Sequence, residues 1–355
     1  MREYFYQLIT GQKKGIIAFI LKFILWILSL IYGVLLRLVL WLYEIGILRK
    51  HKLTARVISV GNITWGGTGK TPLVKMLAEY LKEQGRKPAV IIRGYKSKPQ
   101  AQGYQKIGDE AFFLSQGSSI PVIAGKDRVA GGIQAIKDFS VDTLILDDGF
   151  QHWRLKRDLE IVAIDCTNPF DSGFLIPRGI LREPLSGLKR AEIFFLTKTD
   201  LEADSISEII NRLKAVNPTA LIVESMHRPV GFYSLLQREE IIPPDKLKGK
   251  RIALACSIGN PQAFEKTIRS LGLIPELKFF FMDHHHYQPQ DIDKIIDGCR
   301  QANLNTLITT QKDAVRLKDY SEKLSSLQVL VLQIEISITR GRDDFFNRLS
   351  RLYPA

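Results

Sequence analysis

Four clusters of residues in this chain have the types and spacing for phosphate chemistry. The first is Gly66-Gly67-Thr68-Gly69-Lys70-Thr71-Pro72. Glycines at 66, 67 and 69 let main-chain N–H groups close around phosphate oxygens, Lys70 would reach the β- and γ-phosphates, and Thr71 would hold Mg²⁺. Thr64, Trp65 and Thr68 complete the cradle. The spacing G-x-x-x-x-G-K-[ST] wants glycine where this chain has Thr64, so the bend falls to Gly66 and Gly67. The second cluster is Asp147-Asp148, delivered by the apolar run Leu144-Ile145-Leu146. Carboxylates opposite a phosphate cradle suit a Mg²⁺-nucleotide site, and a turn or helix-capping aspartate before Gly149 is the alternative. The third is Gly108-Asp109-Glu110, ahead of an apolar stretch. Asp109 reads either as a helix cap or, with Glu110, as the base that phosphoryl transfer to a hydroxyl requires. The fourth, Asp283-His284-His285-His286-Tyr287, closes an aromatic strand. Three consecutive histidines cannot all face one metal, which leaves a solvated strand end or a His-carboxylate pair assisting catalysis.

The elements that must carry these clusters follow from periodicity. Val57, Ile58 and Val60 form a β-branched strand before the glycine turn, and Leu73, Met76, Leu77, Tyr80 and Leu81 give Lys70 to Gln84 a helical face. Strand, glycine loop and helix place a helix N-terminus at the bound charge. Further strands are expected at 87–92, 120–124, 141–146, 159–164, 192–196 and 221–223, with a helix at 125–139. Beyond a proline- and lysine-rich stretch at 228–250, strands are expected at 251–256, 277–282, 306–309 and 329–334. Alternating strands and helices mean a mostly parallel sheet covered on both faces, with ligands at the strand carboxyl ends. Arg128, Gln151, His152 and Arg182 lie in loops beyond such ends and are candidates to bind the acceptor.

At 355 residues with 45% hydrophobic and 25% charged residues, the chain has the composition of a globular protein. Its net charge of +13 points to an anionic partner. The basic excess shows no aromatic-interleaved stripe, which argues against a nucleic-acid binder. Cys166, Cys256 and Cys299 are too far apart in sequence for a disulfide framework or a metal spacing.

Residues 15–48 are almost continuously apolar, and residues 1–50 carry a net +5 from seven Lys/Arg and two Asp/Glu. At about 100° per residue, Ser29 and Gly33 fall within about 20°, Glu44 about 40° and Arg37 about 60° of Lys22, so the polar positions share one stripe. One helix would be about 50 Å long, more than the roughly 30 Å hydrocarbon core. A helix or bent helix pair lying in the headgroup layer, charged stripe toward the protein, fits better than a simple span. The absence of a small-residue cleavage site argues against a signal peptide.

Taken together, the apolar segment, GNITWGGTGKTP, RGY, GDE, DR-x-x-GG, LDDGFQH-x-x-L-x-RD, P-x-G-x-LREPL, GNPQ-x-F, DHH and QKDAVRL resemble the tetraacyldisaccharide 4'-kinase family of lipid A biosynthesis across nearly the whole chain. The resemblance implies a P-loop NTPase-type α/β fold with a membrane anchor (1–50), a kinase core (51–235) and a smaller C-terminal α/β domain (236–355). It implies ATP- and Mg²⁺-dependent phosphorylation of the 4'-hydroxyl of a membrane-embedded, tetraacylated glucosamine disaccharide 1-phosphate. The place is the cytoplasmic face of an inner membrane, and no protein partner or nucleic acid is implied. Asp109 would be the base, paired with His284, while Glu110 and Asp147 or Asp148 would lie near Mg²⁺. The chain departs from the family pattern at Ala111, Arg178 and Gln311. Two other readings share parts of the pattern. A partitioning-type ATPase would need a lysine where Trp65 stands. A GTPase would use Thr197-Lys198-Thr199-Asp200 to read guanine, but no D-x-x-G switch segment accompanies it.

Overall fold

The computed structural model describes residue 8, residues 13–94, residue 114 and residues 119–237, 240–283 and 285–353. Asp109, Glu110 and His284 lie outside the described residues. Two compact units divide the chain. One comprises Met1–Lys106, Gly117–Met226 and Ile338–Ala355, the other Ile107–Gln116 and His227–Ser337.

The first unit begins with helix α1 (Ile16–Glu44), 29 residues without a break. It is a single helix, not a bent pair. It is long and apolar enough to cross a membrane. Ala18, Ser29, Gly33 and Leu36 are buried, whereas Phe19, Phe23, Ile27, Ile31, Val34, Leu38 and Trp41 on its other faces are exposed. Of the expected polar stripe, Ser29 and Gly33 turn inward, while Arg37 stays exposed.

Next come β1 (Arg56–Gly61), α2 (Lys70–Glu83), β2 (Pro88–Arg93), β3 (Val122–Gly125), α3 (Arg128–Phe139), β4 (Thr143–Asp147), β5 (Leu159–Asp165), β6 (Ile193–Thr197), α4 (Ile206–Val216) and β7 (Leu221–Ser234). Their order across the sheet is β3-β2-β4-β1-β5-β6-β7, and the pairs flanking β1 are parallel. β1 leads to β2 by a crossover and is flanked on its other side by β5, so its carboxyl end is the topological switch point where such sheets bind ligands. Val57, Ile58 and Val60 are buried, as a central strand covered on both faces requires. α3 starts three residues later than expected, because the Asp127 carboxylate caps it by accepting from the amides of Val129 (2.9 Å) and Ala130 (3.2 Å).

The second unit contains β8 (Arg251–Cys256), α5 (Pro261–Ser270), β9 (Ile274–Phe280), α6 (Pro289–Gln301), β10 (Thr306–Thr310) and α7 (Gln311–Leu317), with β11 (Gln328–Arg340). Their strand order is β11-β10-β8-β9, all joined by parallel pairs. Its core gathers Ala253, Ala255, Ile292, Ile295, Leu307 and Val331.

β7 and β11 are far longer than the expected 221–223 and 329–334, and each runs from one unit into the next. The passage from the first unit to the second, at Met226/His227, therefore falls inside β7, ahead of the boundary expected at 235/236. The last helix, α8 (Arg342–Ser350), belongs to the first unit rather than to the C-terminal domain. Its Phe345 packs edge-on against Phe195 at 5.5 Å, and Phe346 lies 4.2 Å from Tyr80.

Candidate active site

β1 delivers the glycine loop in a fixed geometry. A Cβ on Gly61 would lie 2.5 Å from both the amide nitrogen and the Cβ of Phe150, so only glycine lets the strand end approach the turn after β4. The loop's first half is then pinned by hydrogen bonds. Asn62 Nδ2 donates to the Thr64 carbonyl at 2.7 Å, and Gln151 Nε2 donates to the Asn62 carbonyl at 3.0 Å. The amide of Arg182 donates to Ile63 (2.8 Å) and that of Trp65 to Ile180 (2.7 Å), around an antiparallel bridge between Thr64 and Leu181. Thr64, the departure from the usual spacing, is buried in this bridge.

The second half opens toward solvent. Gly69 has φ 78° and caps α2 with no side-chain hydrogen bond, so the first-turn amides have no capping acceptor. Such an end, with its partial positive charge, suits a phosphate. The hydroxyl of Thr68 is buried without a hydrogen-bond partner, while its carbonyl accepts from Thr197 Oγ1 at 3.1 Å.

Opposite stands the aspartate pair. Val60 of β1 is in register with Asp147, and the Thr71 hydroxyl donates to Asp147 Oδ2 at 3.4 Å. A hydroxyl and a carboxylate are hard oxygen donors of the kind Mg²⁺ takes, one or two at a time, with phosphate oxygens completing its shell. Among the described residues no group of three or more His, Cys, Asp or Glu could hold a metal.

Asp148 faces elsewhere. Its φ of 54° turns its carboxylate to Lys70 Nζ at 3.4 Å and to Arg182 Nη1, 2.8 Å from both oxygens. Burial alone would raise this carboxyl, but the Lys70, Arg182 and Arg128 cations outweigh it and hold it well below the usual carboxylate range. Arg128 is buried beneath the same turn and donates to the carbonyls of Asp147 (2.7 Å) and Asp148 (2.8 Å). Arg128 thus props the aspartates from behind instead of reaching into a loop.

A further ring steadies these groups. Gln151 also accepts from Arg182 Nη1 (3.1 Å) and donates to Glu183 (3.3 Å). Glu183 pairs with Arg190 at 2.7 Å, whose guanidinium lies 4.5 Å over the Phe150 ring. Arg157 donates to the carbonyls of Gly149 and Phe150 and pairs with buried Glu160 at 2.7 Å. Burial pushes the Glu160 carboxyl up to about 7 despite that arginine. His152 is held down to about 4, by burial first and then by Arg128, Arg157 and Arg154. It is therefore a neutral imidazole at neutral pH.

Thr197-Lys198-Thr199-Asp200 serves the loop from below. Thr197 bonds the Thr68 carbonyl, Lys198 makes a buried ion pair with Asp165 at 2.5 Å, and the Thr199 hydroxyl donates to the Ser225 carbonyl. These bonds give the segment a structural task that does not involve reading guanine.

In the second unit, the chain on either side of position 284 is held firmly. Asp283 pairs with Lys312 at 3.4 Å. His285 Nε2 lies 2.8 Å from Asp291 Oδ2, and its ring stacks on Phe281 at 4.8 Å. Buried Asp313 accepts from the Ser257 amide (3.0 Å), Tyr287 Oη (3.1 Å) and Thr310 Oγ1 (2.7 Å). Arg316 Nη1 donates to the His285 carbonyl at 2.7 Å. Gln311 accepts from the Ile334 amide at 3.2 Å, which gives this departure from the family pattern a structural role.

Of the residues that the sequence marks as candidates, Lys70, Thr71, Asp147, Asp148, Gln151 and Arg182 come together in the structure. Three further residues carry no such mark in the sequence: Thr197 as a loop tie, Glu183 as the partner of Gln151, and Tyr32, whose hydroxyl donates to the Arg182 carbonyl at 2.8 Å. Tyr32 lies in an apolar stretch, where the sequence carries no mark of a polar contact.

Known proteins are similar to this chain over nearly all of its length. The family model described as LpxK, tetraacyldisaccharide-1-P 4'-kinase, matches residues 21–353. A tetraacyldisaccharide 4'-kinase of Halothermothrix orenii is 39% identical, covering 95% of this chain and 94% of the relative. One from Elusimicrobium minutum is 35% identical over 94% and 92%. The crystal structure of LpxK from Aquifex aeolicus in complex with ATP superposes with a TM-score of 0.72 at 27% identity, covering 94% of this chain and all of that one.

Proposed function

The chain belongs to the tetraacyldisaccharide-1-P 4'-kinase family, and from that premise we propose how its residues carry out the reaction. It is a kinase of lipid A biosynthesis that transfers the γ-phosphoryl group of ATP to the 4'-hydroxyl of a tetraacylated disaccharide 1-phosphate. The observation that carries the residue assignment is the uncapped N-terminus of α2, with Lys70 and Thr71 facing Asp148 and Asp147. Main-chain amides from Gly66 to Thr71 bind the phosphates, and Lys70 follows the transferring group. Mg²⁺, when bound, neutralises charge on the phosphate oxygens. Thr71 and Asp147 are its proposed ligands here, with Glu110 as a further one. Asp148 holds Lys70 and Arg182 in place. Asp109, paired with His284, takes the proton from the sugar hydroxyl. Gln151 and His152 border the acceptor's approach, and Arg182 acts there through Asp148 and Gln151.

The membrane role of α1 is part of the same proposal. Its exposed apolar side chains suit contact with lipid, and the +5 charge of residues 1–50 favours anionic lipid on a cytoplasmic face. An enzyme held there meets a sugar headgroup whose acyl chains stay in the bilayer, which supplies proximity. The test is transfer of labelled phosphate from ATP to a defined acylated disaccharide, with the phosphorylated carbon located by NMR. The expected result is 4'-phosphate with the wild-type chain, almost none with Lys70→Ala, and retained ATP binding without turnover for Asp109→Ala. Full activity in Lys70→Ala would overturn the assignment.

A further inference from the structure

Three polar groups of Arg182 are each fixed by a different part of the first unit. Its amide donates to the Ile63 carbonyl at the root of the phosphate loop (2.8 Å). Its guanidinium grips the Asp148 carboxylate and Gln151. Its carbonyl accepts from the Tyr32 hydroxyl at 2.8 Å. Tyr32 is 150 residues away in sequence, at the middle of α1, the helix whose other faces are apolar and exposed.

The contact is built for close approach. Beside Tyr32, Gly33 is buried, and a Cβ there would lie 2.8 Å from Leu175 Cδ1. Leu175 belongs to the segment that runs to Arg182, with the Ile176 amide bonded to the Leu181 carbonyl and the Leu181 amide to the Phe174 carbonyl. Farther along the helix, Tyr43 meets Trp153 edge-on at 6.1 Å, just past the Gln151-His152 turn. α1 thus rests on the same two segments that shape the site.

We propose that Tyr32 is a positioning residue, which fixes Arg182 and through it Asp148 and Lys70, so that the seating of α1 sets the turnover of the kinase. The inference rests on the reaction proposed above. Without the hydroxyl, the Arg182 carbonyl loses this link to the helix, and the guanidinium samples positions in which Asp148 and Lys70 are less well placed. Binding of the acceptor's lipid tails does not depend on this bond. The effect therefore belongs in kcat rather than in the acceptor's KM.

The experiment uses the full-length protein with acylated disaccharide in vesicles of anionic phospholipid. Tyr32→Phe keeps the ring and removes only the hydroxyl. It is expected to lower kcat about three- to tenfold, with acceptor KM and vesicle sedimentation unchanged. A double-mutant cycle separates positioning from general destabilisation. In an Arg182→Ala background the carbonyl remains and the guanidinium is gone, so adding Tyr32→Phe is expected to cost nothing further. Gly33→Ala, which presses on Leu175 while leaving Tyr32 and Arg182 intact, is expected to lower kcat likewise. Wild-type kcat in Tyr32→Phe, or losses that multiply in the double variant, would overturn the proposal while leaving the kinase reaction standing. Absence of transfer by the wild-type chain would overturn the reaction and this inference together.

Discussion

Replacing Arg128 offers a sharp separation between two roles for a basic residue at this site. Arg128 is 4% exposed, and its two terminal nitrogens each donate to one carbonyl of the aspartate turn. Hydrogen bonds with one charged partner contribute about 1.5–3 kcal/mol each. Arg128→Ala also leaves two carbonyls to find water, so a loss of about 3–5 kcal/mol of stability is expected. Lysine keeps the charge but not the planar fork, and Arg128→Lys should cost roughly half as much. The catalytic effect follows from Asp148, whose left-handed conformation is uncommon for a residue with a side chain. If about 1.4 kcal/mol of the lost constraint falls on the placement of Asp148 and Lys70, kcat drops about tenfold. Initial rates of phosphate transfer in Arg128→Lys, beside its thermal midpoint, measure both quantities. An arginine that instead touched the acceptor's phosphate would leave kcat alone and raise the acceptor's KM, with a salt dependence that weakens in the variant. That second pattern would refute the reasoning.

Thr197→Val removes the hydroxyl bonded to the Thr68 carbonyl while keeping the side-chain volume. The affinity for ATP should fall about three- to tenfold, as read by equilibrium binding of a fluorescent nucleotide, and unchanged affinity would detach Thr197 from the phosphate loop. Asp313→Asn puts an amide donor among the donors of Ser257, Tyr287 and Thr310 and should cost the second unit about 2–4 kcal/mol; denaturant unfolding followed by hydrogen exchange in that unit checks it. His152 titrates at about 4 in the fold and near its ordinary value of about 6.5 when unfolded. The unfolded chain therefore binds the extra proton between these values, so this residue's contribution is lost as pH falls from about 6.5 through about 4. In His152→Gln the acid-side slope of unfolding free energy against pH should be shallower, and an unchanged slope would show that His152 titrates normally in the fold.

The parts of the fold that sequence showed were local. A β-branched strand, a glycine turn and an amphipathic helix announce themselves within thirty residues, and β1 and α2 stand where periodicity puts them. The long strands β7 and β11 did not. Within β7, Glu224, His227, Arg228, Pro229 and Gly231 break every strand pattern, and proline and glycine are ordinarily depleted in strands. Only pairing with distant segments extends the strand through them, and the passage between the two units, at Met226/His227, falls inside it. The return of α8 to the first unit is of the same kind. Phe345 and Phe346 declare an apolar face, but not that Phe195 and Tyr80 will receive it.

The site divides along the same line, and the aspartate pair shows why. Alternation along a strand would send Asp147 and Asp148 to opposite faces, which leaves open which one meets the magnesium-binding threonine. The period of two stops at Asp147, the last residue of β4, because Asp148 is already in the left-handed turn. That turn is held by Arg128, from another helix, and by Arg182, from a loop that also bonds β1's continuation and α1. Residue types thus told what chemistry the pair could do, while the division of labour between its members, Asp147 toward Thr71 and Asp148 toward Lys70, was set by two arginines. Their sequence positions mark only positive charge, and in the fold the two differ completely: Arg128 is spent on main-chain carbonyls beneath the turn, whereas Arg182 meets the carboxylate itself.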